Sequence, residues 1–231
     1  MSYITTDNLT HIMAEMTDYC NAACPMCNRF DWDLKLIKGI TNTHHTTLEF
    51  VKQKIGGEII SKLKEWTCQG TYGDASMNPE TVDIFKYLRE INPSMEISMY
   101  TNGGARNKDF WKALAELNVI ITFGIDGLED TNHLYRRNVK WDSLMENVKT
   151  FINNGGHAKW DLLVFKHNQH QVDEAKALST ELGFKSFDHT FSERWQDFNS
   201  DGEYRDITSL EVDGYVIEKP VEQKEEEKTE E

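Results

Sequence analysis

Three of the chain's four cysteines, Cys20, Cys24 and Cys27, fall within the eight residues "CNAACPMC", a CxxxCxxC spacing. Thiolates three and four residues apart can converge on one metal centre, and soft sulfur ligands suit iron–sulfur clusters, zinc or copper(I). A structural zinc ion asks for a fourth ligand, and the nearby His11, His44 and His45 have no tight spacing to the triplet. Three thiolates on a four-iron cluster would instead leave one iron without a protein ligand, free to bind a small molecule. Cys68, alone in an apolar run, reads as a small buried hydrophobe.

The elements that must position this loop follow from hydrophobic period. Short strand-like runs at 11–17, 65–70, 96–102, 119–125, 160–166 and 186–191 alternate with amphipathic stretches, which predicts an α/β fold with a parallel sheet. A capping box at Thr46-Thr47-Leu48-Glu49 opens the first helix, which Gly56-Gly57 weaken midway. Asn78-Pro79 reads as N-cap and first turn of the second helix. Further helices are expected at about 107–117, 141–153 and 171–182, the last stopped by Gly183. The cysteine triplet then lies just beyond the carboxyl end of the first strand, where α/β proteins place their sites.

Composition narrows the class of partner. Twenty-five basic residues against 39 acidic ones give a formal charge of −14, which repels nucleic acid and anionic membrane at long range. No leader and no spanning apolar run are apparent, and the lopsided cysteine spacing suits a reducing compartment, so a soluble, cytoplasmic protein is expected. Residues 1–192 are expected to form the core barrel, 193–217 an extension without clear period, and 218–231, "EKPVEQKEEEKTEE", a disordered acidic tail.

CxxxCxxC after a first strand resembles the signature of the radical S-adenosylmethionine (radical SAM) superfamily, and further motifs follow in that family's order, each at a strand end. "GTYGDASMNPE" at 70–80 is similar to its glycine-rich motif, so Gly70, Gly73 and Asp74 are implied to meet the methionine moiety of the cosubstrate. Asp74 replaces a customary glutamate and Ala75 a proline. Thr101-Asn102-Gly103-Gly104 resembles the "TNG" of relatives, and Ile125-Asp126-Gly127 ends the strand that faces the ribose and substrate in them. Asp126 would accept hydrogen bonds from hydroxyls, or serve only as a turn residue. Arg136, ten residues on, matches an arginine that pairs with the cosubstrate's carboxylate, with Arg137 beside it as a rival. Asn168 is a faint match on the fifth strand, Met26 stands where an aromatic residue is usual, and Gly124 stands where serine is frequent. His167 and His170 flank the end of the fifth strand and are expected to be exposed.

The resemblance covers roughly residues 10 to 190 and implies a partial (β/α)6 barrel. It also implies a [4Fe-4S] cluster on Cys20, Cys24 and Cys27, S-adenosylmethionine as cosubstrate, and an electron donor such as flavodoxin or ferredoxin. The fourth-strand segment "FGIDGLEDTNHLYRR" is closest to peptide- and protein-modifying members, yet no cysteine after Cys68 is present to build their auxiliary-cluster (SPASM) domain. The implied reaction is reductive cleavage of the cosubstrate to a 5′-deoxyadenosyl radical that takes hydrogen from a peptide, a protein or a small molecule; no catalytic residue is singled out. Two rivals remain at this point: a non-catalytic iron–sulfur or zinc protein in electron transfer, and a barrel kept as a partner-binding scaffold.

Overall fold

A computed structural model describes residues 5–6, 8–31, 35–192, 195–198, 204–212 and 214–221. Its centre is one sheet of six parallel strands in sequence order: β1 (His11–Met13), β2 (Glu65–Cys68), β3 (Glu96–Thr101), β4 (Ile120–Gly124), β5 (His157–Val164) and β6 (Ser186–Phe191). Every β-to-β connection carries a helix, which is the condition for parallel neighbours. The expected α/β class and partial barrel are therefore what the chain adopts.

Burial alternates along the strands and separates two faces. Registered rows such as Cys68, Met99, Ile121 and Ala158 are buried against the helices. The opposite face carries Tyr100, Thr122, Lys159 and Ser186 in one row and Gly124, Asp161 and Asp188 in the next. That polar, partly exposed face is the wall of an open lumen. On the helix side Phe123 stacks tilted on Trp111 at 5.5 Å and Trp160 on Phe184 at 5.3 Å. Each fully buried Phe, Ile or Leu there contributes about 1.5–3 kcal/mol.

The helices are α1 (Leu48–Phe50), α2 (Gly56–Lys62), α3 (Thr81–Ile91), α4 (Lys108–Glu116), the short α5 (Asn132–Tyr135), α6 (Trp141–Asn153) and α7 (Val172–Leu182). Two helix starts differ from expectation. Thr47, not Thr46, caps α1 by accepting from Phe50 N, and the acidic partner comes from Glu80, whose Oε2 accepts from Leu48 N. Thr46 is diverted because its hydroxyl donates to Glu15 O. A π-helical turn, Val51–Ile55, then closes at Gly56 with φ +74°, so the glycine pair breaks the run. Asn78 does not cap α3. It is wholly buried, its amide donating to Met16 O at 2.8 Å and Thr46 O at 2.7 Å while Oδ1 accepts from Glu80 N, and it ties three loops together. The bond to Glu80 N closes a local turn at Pro79-Glu80, and α3 begins only after it, at Thr81.

The extension at 193–217 contains two antiparallel ribbons that periodicity did not reveal, β7 (Gln196–Phe198) with β8 (Tyr204–Asp206), and β9 (Ser209–Val212) with β10 (Tyr215–Glu218). The expected tail starts too early. Glu218 ends β10, its carbonyl accepts from Lys166 N, and Val221 N donates to Gln169 Oε1. The remainder of the tail lies outside the described residues. No helix among those residues is long and apolar enough to cross a membrane.

Candidate functional site

The cysteine loop leaves β1 at the sheet's carboxyl edge and is pinned at its stem. A Cβ on Gly73 would lie 2.2 Å from Thr17 O and 2.8 Å from Tyr19 O, so only glycine lets the loop after β2 press against the loop after β1. Asp74 N donates to Tyr19 O from the same contact. Gly70 turns with φ +71°, and Glu15 holds the turn by accepting from Thr71 N at 3.0 Å and Tyr72 N at 3.1 Å.

Asp74 itself is buried, and four donors converge on its carboxylate: Ser76 N, Thr101 Oγ1, Asn102 N and Asn102 Nδ2, the last at 2.7 Å. Asn102 passes the network on, its amide reaching Asn21 Oδ1 at 2.9 Å and Cys20 Sγ at 3.6 Å. Asp74 and Asn102 thus stand together beside the cysteines, and the aspartate spends its oxygens on β3.

Arg136 reaches the loop from the other side. Its Nη1 lies 3.8 Å from Cys24 Sγ, and its Nε donates to Asp126 Oδ2 at 2.6 Å. Asp126 is fully buried, and its second oxygen accepts from Leu163 N at 2.7 Å. Burial works against ionisation of this carboxyl, while Arg136 and the Leu163 N–H favour it. Because a guanidinium keeps its proton, the two form an ion pair. Asp126 therefore positions Arg136 and offers no exposed oxygen to a hydroxyl. Arg137 turns away, its guanidinium 5.3 Å from the Tyr215 ring, which separates the two arginines that the sequence left as rivals.

Asn168 is also fully buried, and its role is internal: its amide donates to Asp126 O and Leu163 O, both at 2.9 Å, while Oδ1 accepts from Phe165 N. It staples the ends of β4 and β5 and does not face the lumen. His167 departs from expectation as well. It stacks on Phe165 at 5.4 Å, and burial, with His133 and His170 nearby, lowers its pKa to about 4; His170 is exposed.

Residues that sequence reasoning missed include Glu15, Arg29 and Asp161. Arg29 is buried and donates to Asp18 O and Asn42 Oδ1, bracing the far side of the loop. Its only sequence signal is a cation two residues beyond the third cysteine. Asp161 lies beside Gly124 in register on the lumen face, with no hydrogen-bond or ion-pair partner among the described residues. Burial, then Asp188 and Asp126, raise its pKa.

The donor set fits an iron–sulfur cluster. Cys20, Cys24 and Cys27 are free thiols. Burial pushes Cys20 up to about 12 and Cys24 up to about 11, so without a metal both stay protonated near neutrality. A bound metal reverses that by taking the thiolate directly. Donors already face the sulfurs: Ala22 N and Asn102 Nδ2 on Cys20, Arg136 on Cys24. Among the described residues no three His, Cys, Asp or Glu groups gather closely enough for one ion, whereas a cluster takes one thiolate per iron and tolerates wider spacing. Met26, in the place of the usual aromatic residue, is buried in the core.

Comparison with known proteins agrees with this geometry. A search of curated proteins returned no match. Among solved structures, Streptococcus suis SuiB bound to S-adenosylmethionine superposes with a TM-score of 0.64 at 14% identity over 92% of this chain and 43% of that one. The structure of native anSMEcpe with bound AdoMet gives 0.63 at 15% identity over 86% of this chain and 56% of that one. SuiB bound to precursor peptide SuiA gives 0.63 at 13% identity over 78% and 39%. The chain thus spans about half the length of these proteins, and at such identities the likeness speaks for the fold alone. The profile of the Radical SAM superfamily matches residues 14–178. With the cysteine loop, the glycine-rich turn and the six-stranded sheet in that span, the chain belongs to the radical SAM superfamily, whose [4Fe-4S] cluster and S-adenosylmethionine are its cofactors.

Proposed function

We propose that the protein is a radical SAM enzyme that acts on a peptide or protein segment held in the open lumen. The observation that carries the reading is the three-cysteine loop, clamped by Gly73 on one side and faced by Arg136 on the other. In this reading Cys20, Cys24 and Cys27 would hold the cluster and leave it an open position for S-adenosylmethionine. The cofactors supply one-electron cleavage of the sulfonium to methionine and a 5′-deoxyadenosyl radical that abstracts a hydrogen atom from the substrate.

The chain's own residues orient and shield. Gly70 and Gly73 bring backbone close to the cosubstrate's amine, and Asp74 fixes that turn through its bonds to Thr101 and Asn102. With Nη1 turned to Cys24, Nη2 of Arg136 would be the nitrogen left to meet the cosubstrate's carboxylate. Tyr100, Thr122 and Asp161 line the lumen where the substrate lies. A peptide substrate is supported by SuiB and anSMEcpe, both solved with peptides bound. The electron comes from a flavodoxin or ferredoxin, and the reaction runs in a soluble, cytoplasmic setting.

Anaerobic reconstitution with iron and sulfide, then reduction in the presence of S-adenosylmethionine, should yield 5′-deoxyadenosine. A fully loaded, reduced protein that gives none and shows no spectroscopic change on adding S-adenosylmethionine overturns the reading. Cys24→Ala should lose the four-iron absorption; an unchanged spectrum would remove Cys24 from the ligand set.

A further inference from the structure

Gly124, Asp126 and Arg136 behave as one unit. A Cβ on Gly124 would sit 2.4 Å from Arg136 Nη2 and 3.0 Å from Cζ, so the bare backbone at the end of β4 is what lets the guanidinium lie across the strand. Asp126, two residues on, grips Nε at 2.6 Å and is itself fixed by Leu163 N. Nη1 is thereby aimed at Cys24 Sγ, 3.8 Å away. The space that a side chain at position 124 would need is taken by a guanidinium supplied from twelve residues downstream.

Resting on the assignment of Cys24 as a cluster ligand, we infer that this unit raises the reduction potential of the cluster through Cys24, apart from any contact Arg136 makes with the cosubstrate. The ion pair is net neutral, so its field is dipolar, with the positive end at the sulfur and the negative end on the far side of Arg136. Reduction adds one electron to the cluster, and a positive end at a ligand sulfur stabilises the reduced form. Asp126 is fully buried and the Arg136 side chain is 21% exposed, so water screens this interaction less than it would at the surface. Arg29 and Asp74 near Cys20 add a fixed background that variants at 124, 126 and 136 leave in place.

The test is a redox titration with dithionite, followed by EPR, of the anaerobically reconstituted protein without S-adenosylmethionine. Arg136→Gln should lower the one-electron reduction constant by roughly tenfold, a midpoint shift of about 59 mV to lower potential. Gly124→Ser keeps both charges but displaces the guanidinium, and should shift the midpoint in the same direction. Asp126→Asn removes the negative end and should shift it upward. Arg136→Lys should recover part of the loss. Opposite signs at 126 and 136 are a signature that general loosening of the site would not produce.

Breaking a buried ion pair can unfold the chain, so Gly124→Ser is the decisive variant. A fully loaded Gly124→Ser protein with the parent's midpoint overturns the inference and leaves the functional reading standing. A parent that loads no four-iron cluster overturns both.

Discussion

The two halves of the sheet's carboxyl end are built differently. Around β1 to β3 the polar groups are spent on one another: Asp74 takes four donors, Asn102 bridges Asp74, Asn21 and Cys20, and Asn78 ties three loops. Around β5 and β6 the lumen wall is loosely furnished. Asp161 and Asp188 are neighbours in register with no hydrogen-bond or ion-pair partner among the described residues, and no described strand covers the outer edge of β6. The first half has its polar groups paired before anything binds, which suits cofactors of fixed shape. The second half keeps its hydrogen-bonding capacity free, which suits a substrate that brings its own partners.

The comparison can be broken by substitutions that should matter on one side and not on the other. The largest effect is expected from Gly73→Val, which drives carbons into the Thr17 and Tyr19 carbonyls. It should cost about 3 kcal/mol or more in chemical denaturation, at or beyond the upper end for overpacking, and abolish cluster loading. Asp74→Asn comes next. An amide cannot accept from all four donors and places its own N–H against one of them, so a loss of about 1–3 kcal/mol should appear in urea titration.

His167 sharpens the contrast through pH. Its folded pKa, about 4, lies below the ordinary histidine value of 6.5, so the unfolded chain binds more protons between these limits. Stability should therefore fall as pH drops from about 6.5 toward about 4, and His167→Leu should flatten that part of the thermal unfolding profile. The smallest effect is expected at Asp188→Asn, on the open wall, where stability should change by less than about 0.5 kcal/mol. A loss comparable to that of Asp74→Asn would show that the second half is braced after all.

Much of the fold was legible because period and punctuation agree locally: six strand-like runs, helices between them, and Gly183 closing α7 in the left-handed conformation. The cysteine loop was legible for the same reason, since its spacing is contained in eight residues. What escaped depended on distant partners. Asn78 has the look of a cap, but its amide is claimed by carbonyls 62 and 32 residues away. Asp126 and Asn168 have the chemistry of ligands, yet packing turned both inward, and no local pattern distinguishes a buried carboxylate from one that faces a lumen. Glu15 sat inside an apolar run as an unexplained charge, and only the fold supplied the two amides that it holds. The short ribbons after residue 193 lack the alternation that marks a longer strand.

The bond between Arg136 and Cys24 spans 112 residues of sequence, and Ala23 N donates to Arg137 O across nearly the same gap. This fixes an order of events during synthesis. The cysteines leave the ribosome first, and at 5–20 residues per second about 6–20 s pass before their last polar neighbour exists. Until then the contacts that Arg136 and Arg137 make with the loop cannot form. The finished pocket is thus a product of late chain closure, and a truncation between residues 69 and 135 would yield a chain with all four cysteines and half of their socket.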